Sequence, residues 1–132
     1  GASSIAQRAA LTAFITDPGS TADMKTMQAA FRERRDLMLK LLGEIPGMKL
    51  NKPDGAFYIF PDISHYFGKS DGNTTIQNAN DFCMYLLNNV FVALVPGDAF
   101  GDPNCIRFSY ATSKEKLTEA VRRIREALAK LK

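Results

Sequence analysis

The sequence predicts an α+β two-layer sandwich, a small mixed β-sheet with helices on one face, preceded by a long helix. Three observations carry that expectation. Apolar residues recur at helical spacing in four segments, short strand-like segments lie between them, and Pro/Gly clusters punctuate the changes of pattern. The chain has 132 residues, 45% apolar and 23% charged, which suits one domain with a sizeable core. Residues 1–132 are therefore expected to form a single domain, with 1–43 as a helical lead-in and 44–132 as the α+β core.

Ser3 or Ser4 can cap a first helix whose Ile5, Ala9, Ala13 and Phe14 form a small-residue face suited to close packing. Asp17-Pro18-Gly19 stops it. Ser20, three residues before Asp23, has capping-box spacing for a second, longer helix with Met24, Met27, Phe31, Met38 and Leu41 on one stripe, and Gly43 is its expected C-cap. From Gly47 the pattern shortens. Met48 to Leu50 and Ala56 to Phe60, separated by Pro53-Asp54-Gly55, read as a hairpin closed by Pro61.

The polar stretch from Ser64 to Gln77, with Gly68, Asp71, Gly72 and Asn73, is expected to be a mobile surface loop. Asn78 or Asn80 can cap a third helix with Ala79, Phe82, Cys83, Leu86 and Leu87 on one face, and Phe91 to Val95 then reads as a short buried strand. Thr112 and Glu115 have capping-box spacing for a last helix. Its stripe of Leu117, Ala120, Val121, Ile124, Ala127, Leu128 and Leu131 is the clearest helical pattern in the chain.

The net charge of +3 is modest, and basic residues alternate with acidic ones, as in Arg32, Glu33, Arg34, Arg35 and Asp36, so no nucleic-acid footprint is present. No apolar run reaches membrane-spanning length. A soluble cytoplasmic chain with no nucleic-acid or membrane partner is the expectation. Cys83 and Cys105 lack CxxC spacing or clustered histidines, which argues against a metal or redox site and for two small buried thiols. His65 reads as a surface histidine. The chain opens in a helical pattern without an initiator Met and is expected to begin inside a larger protein.

The stretch from Val95 to Ala111, VPGDAFGDPNCIRFSYA, is a Pro/Gly loop feeding an alternating strand. Ile106, Phe108 and Tyr110 point one way, Cys105, Arg107, Ser109 and Ala111 the other. Arg107, flanked by small residues on its face, has room to present its fork of donors to a carboxylate or phosphate. From spacing alone, an exposed arginine in a weak surface ion pair is the commoner outcome. With helices covering the Ile106 and Phe108 face, Arg107 is expected on the uncovered one, where another domain of a parent protein could close over a bound carboxylate.

The ASSIAQ helix start, the long helix ending at Gly43, PDGAFYIFPDIS, VPGDAFG, CIRFSYA and SKEKLTEAVRRI occur in the order seen in one family. The chain resembles the C-terminal small-domain portion of a class I/II pyridoxal-phosphate aminotransferase of fold type I, most like the aspartate aminotransferase group. That resemblance implies that Arg107 binds the substrate α-carboxylate, that Gly97 and Phe100 line the active site, and that closure of the small domain excludes water. It implies pyridoxal 5'-phosphate in the parent enzyme, a large cofactor-binding domain in the same protein from which the long interdomain helix bridges, and a homodimer acting on amino acids and 2-oxo acids. The resemblance also implies that the Schiff-base lysine lies upstream of this chain, and Lys25, Lys40, Lys49, Lys52 and Lys69 do not sit in its motif, so no catalytic residue and no bound cofactor are expected here, and the fragment alone is expected to be inactive. Aromatic, alanine or diaminopimelate aminotransferases and C–C or C–S lyases are alternative parents. A free-standing ligand- or partner-binding module is the alternative of another class.

Overall fold

The computed structural model describes residues 1–132, and the chain forms two compact units, residues 1–32 and 33–132, with the division falling inside the second helix. In the first unit, helix α1 spans Ser4–Ile15, and the Ser3 hydroxyl accepts the Ala6 N–H at 3.2 Å, satisfying one of the free donors of the first turn. α1 has no buried residue, and Ile5, Leu11, Phe14 and Ile15 are exposed. Asp17 then accepts the Gly19 N–H at 3.0 Å, and Pro18–Ser20 make a single 3-10 turn. Helix α2 spans Ala22–Gly43. Ser20 does not cap it, because the Pro18 turn takes Ser20 in and its hydroxyl donates to the Asp17 carbonyl at 2.6 Å.

In the second unit, Met38 and Leu42 are the buried side chains of α2, so the stripe reaches the core through Leu42 rather than Leu41. Gly43 is the last helical residue, and the left-handed position comes later, at Gly47 with φ 85°. A side chain at Gly47 would collide with the exposed His65 ring, which lies 2.1 Å from where its Cβ would stand.

Three short strands follow: β1, Tyr58–Ile59; β2, Val95–Pro96; and β3, Ile106–Ser109, in the order β1-β3-β2. Both pairings are antiparallel, which corrects the expected mixed sheet. The reason is local to β2 and β3: the loop between them is shorter than the roughly dozen-residue crossover that parallel neighbours require. Isolated bridges from Lys49 to Asp62 and from Asp62 to Cys105 widen the sheet. The expected hairpin survives only as that first bridge. Residues 57–59 pair instead with β3 and Tyr110, whose N–H donates to the Phe57 carbonyl at 2.9 Å, so the 48–50 segment reaches no farther than Asp62.

The Ser64–Gln77 stretch is anchored, contrary to expectation. Ile76 is fully buried, Gly68 N–H donates to the Ile76 carbonyl at 2.7 Å, and Ser70 exchanges two backbone hydrogen bonds with Lys132. The Tyr66 hydroxyl donates to the Pro46 carbonyl. Polar composition hid this anchoring because its partners are distant in sequence.

Helix α3, Ala79–Val90, is capped by Asn78, whose side chain accepts the Asp81 N–H at 2.9 Å. Its buried face is Ala79, Phe82, Cys83, Tyr85 and Leu86, with Leu87 left exposed. Tyr85 enters the core because its hydroxyl has a partner there, the Ala127 carbonyl at 3.1 Å. Of the expected strand from Phe91 to Val95, only Val92 is buried; Phe91 takes the left-handed helix-ending conformation at φ 56° and Val95 opens the two-residue β2. Helix α4, Lys114–Leu128, buries Leu117, Val121, Ile124, Ala127 and Leu128, and Leu131 beyond it is also buried. Its cap is Ser113, one residue later than Thr112. α3 packs against α4 and β2.

Candidate functional site

The alternation along β3 separates two environments. Ile106 and Phe108 are buried with Ile59 of β1, whereas Arg107 is half-buried and Ser109 exposed on the opposite face with Tyr58. β3 is the central strand, so Arg107 is flanked on both sides: Val95 of β2 lies opposite it, and Tyr58 of β1 lies opposite Ser109, one same-face step along.

The loop after β2 completes the surroundings. Gly97–Phe100 form a 3-10 turn ending in Gly101 at φ 91°. Gly97 is buried, donates to the Cys105 carbonyl at 2.8 Å, and accepts the Asp102 N–H at 3.3 Å. A Cβ at Gly97 would stand 2.2 Å from the Asp102 carbonyl oxygen and 2.4 Å from that of Cys105, so only glycine fits this closure. The turn delivers Phe100 to Arg107, whose guanidinium carbon lies 4.3 Å from the Phe100 ring centre and 4.6 Å from that of Tyr58, over each ring. Phe60 meets Phe100 edge-on at 6.3 Å.

Arg107 takes part in none of the ion pairs of the chain, which join Arg35 to Asp36, Lys49 to Asp62, Lys114 to Glu33, Arg125 to Glu44, and Arg122 and Arg123 to glutamates of α4. In place of the surface ion pair that spacing alone favours, Arg107 has aromatic faces. Contacts over a ring leave the in-plane N–H donors of a guanidinium available to a carboxylate or phosphate. Arg107 and Phe100 are thus brought together, Gly97 shapes the loop from beneath, and Tyr58 is the member that spacing did not single out. Its signal was the alternation of Tyr58 and Phe60 about the apolar Ile59.

The other chemistry-bearing groups lie elsewhere. Burial pushes the thiols of Cys83 and Cys105 up to about 11, with Asp102 adding to the effect at Cys105, so both are protonated at neutral pH and poor nucleophiles. No three His, Cys, Asp or Glu side chains gather as metal ligands, and no helix is long and apolar enough to cross a membrane. Lys49 pairs with Asp62 at 2.9 Å, Lys69 lies over the Tyr66 ring, and Lys25, Lys40 and Lys52 are exposed. An imine-forming lysine needs an enclosed, activated amine; these five do not fit a pyridoxal phosphate aldehyde. A groove of about 590 Å³ between residues 91–94 and α4 does not include Arg107, and its charged groups, Glu115, Lys116, Glu119 and Arg123, all come from one helix.

Three comparisons bear on this arrangement. The model of the family "Aminotransferase class I and II" matches residues 1–124. A bifunctional aspartate aminotransferase and glutamate/aspartate-prephenate aminotransferase of Petunia hybrida is 50% identical over 133 positions, covering 100% of this chain and 28% of the relative. The crystal structure of the aspartate aminotransferase from Rhizobium meliloti superposes with a TM-score of 0.88 at 39% identity, covering 98% of this chain and 32% of that one. An aromatic aminotransferase of Pyrococcus horikoshii OT3 matches with a TM-score of 0.69 at 38% identity, over 81% of this chain and 26% of that one. The chain thus spans between a quarter and a third of the length of these relatives.

Proposed function

The chain belongs to the class I and II aminotransferase family, and from that membership we propose that it is the substrate-carboxylate-binding portion of a pyridoxal-phosphate-dependent enzyme that moves an amino group between aspartate, or a related amino acid, and a 2-oxo acid. The observation that carries the reading is Arg107: a half-buried cation on the open face of the sheet, stacked on two aromatic rings and paired with no carboxylate. Its N–H groups donate to the α-carboxylate of the substrate in a charge-assisted contact. The flanking rings keep water from part of that contact, which strengthens it. Gly97 and Phe100 border the same space, Phe100 as a wall and Gly97 as the residue that lets the loop close.

Cofactor chemistry is assigned to residues outside this chain, because Lys25, Lys40, Lys49, Lys52 and Lys69 do not fit that role. The rest of the parent supplies the large domain, and the parent works as a homodimer. The 132 residues alone are inactive. The likeness to the Rhizobium meliloti and Petunia hybrida proteins favours the aspartate branch; the likeness to the Pyrococcus horikoshii enzyme supports an aromatic amino acid as the second reading.

The test is Arg107→Ala in the full-length enzyme. The expected result is a loss in kcat/KM for aspartate and for 2-oxoglutarate of about 2–5 kcal/mol, several hundredfold at mid-range, because a charge-assisted contact is removed and the carboxylate left unpaired. Unchanged kinetics with both substrates sinks the assignment.

A further inference from the structure

The central strand holds Arg107 between aromatic groups that arrive from both sides: Tyr58 from β1 on one flank and Phe100 from the turn after β2 on the other. We infer that Tyr58 and Phe100 are positioning residues that together form an aromatic clamp on the Arg107 guanidinium, and that this clamp sets how tightly the site takes a carboxylate. The inference rests on the carboxylate-binding reading of Arg107.

A binding arginine has to be ordered before its ligand arrives. Its long side chain samples many rotamers, and ordering it on binding costs affinity. An acidic neighbour would order it, yet would occupy the same donors that the substrate must use. A ring face orders the cation through its quadrupole and leaves the fork unspent. The surroundings follow that second design. Both ring centres lie within 4.6 Å of the guanidinium carbon, and none of the chain's carboxylates forms an ion pair with it.

The two halves of the clamp have different supports. Tyr58 is held by the β1–β3 register, opposite Ser109. Phe100 is held by a turn that only glycine at position 97 allows and by the edge of Phe60. Phe100 is 46% exposed, so its ring contributes little to the core and its placement over the arginine is the main contact to be lost on truncation. It is the Tyr58 ring face, not the hydroxyl, that meets the guanidinium.

The experiment uses the full-length enzyme that carries this chain, with Tyr58→Leu, Tyr58→Phe, Phe100→Leu and Arg107→Lys. The dissociation constant of maleate, a dicarboxylate with no amino or oxo group to exchange, is measured beside KM and kcat for aspartate. Tyr58→Leu and Phe100→Leu are each expected to raise the maleate constant and KM about three- to tenfold with kcat within about twofold of the parent. Tyr58→Phe, which keeps the ring, is expected to bind as the parent does. Parent-like binding by both leucine variants, alongside impaired binding by Arg107→Lys, overturns the clamp and leaves the carboxylate reading intact. Equal losses in Tyr58→Phe and Tyr58→Leu also overturn it, since the ring face would then not be the agent. Parent-like binding by Arg107→Lys together with Arg107→Ala overturns the carboxylate reading and the clamp with it. Should Tyr58→Leu fail to fold, the exposed Phe100→Leu decides alone.

Discussion

Asp62 ties together three parts of the second unit. Its backbone bridges Lys49 on one side and Cys105 on the other, and its carboxylate accepts the Ser64 N–H at 2.8 Å and the Lys49 ammonium at 2.9 Å. These contacts, those with Ser64 first and Lys49 after, pull its carboxyl down from 3.8 to about 2. A carboxyl lowered by folding adds stability that is fully present above its unfolded value and is lost as pH falls through the folded one. The window here runs from about pH 4 down to about pH 2. Asp62→Asn is therefore expected to lower stability at pH 6 by on the order of 1 kcal/mol, solvent screening included. The gap should close toward pH 2, where the protonated aspartic acid resembles asparagine. Urea midpoints across that range check this, and a gap independent of pH would remove the electrostatic account. Arg107 shows the same dependence on context: its neighbours Tyr58 and Phe100 give it aromatic faces in place of a surface ion pair.

Helix ends show how an element is finished. Two hydroxyls stand side by side before α4, Thr112 and Ser113, and either has the chemistry to cap. The Ser113 hydroxyl accepts the Lys116 N–H, so the helix opens at Lys114. Ser113→Ala is expected to cost about 0.5–2 kcal/mol and Thr112→Ala a few tenths at most. Thermal unfolding of the two variants separates them, and the reverse order would move the cap back to Thr112. At the end of α3, Phe91 bears a left-handed conformation that glycine adopts more readily, and the residue is 79% exposed. Strand length follows another rule: β1 and β2 have two residues each because turns and prolines cut them short, yet two are enough to fix which residues flank Arg107.

At the scale of the whole molecule, the second unit has a core of its own, built from Met38, Leu42, Ile59, Phe82, Ile106 and the α4 stripe. Its Arg107 stands in no ion pair, and its lysines are exposed, ion-paired or stacked on a ring. The isolated chain, incubated with pyridoxal phosphate and aspartate, is accordingly expected to form no 2-oxo acid above the cofactor-only control and to yield no single lysine fixed by borohydride. One stoichiometrically modified lysine would contradict this. Much of this architecture was legible in advance. The periodic stripes marked the four helices, the alternation from Ile106 to Tyr110 put Arg107 off the core face, and the motif order led to the family that the comparisons show. These features depend on residues a few positions apart, whose propensities, caps and periods act locally, and so the sequence by itself determined them. Only the tertiary structure decided that the sheet is antiparallel, that residues 57–59 pair with β3 instead of closing a hairpin, that the 64–77 loop is tied to the C-terminus, and that Tyr58 and Phe100 meet over Arg107. Each of those outcomes is a choice among partners distant along the chain, settled by which pairing buries the apolar face while satisfying the backbone, and no local pattern encodes it.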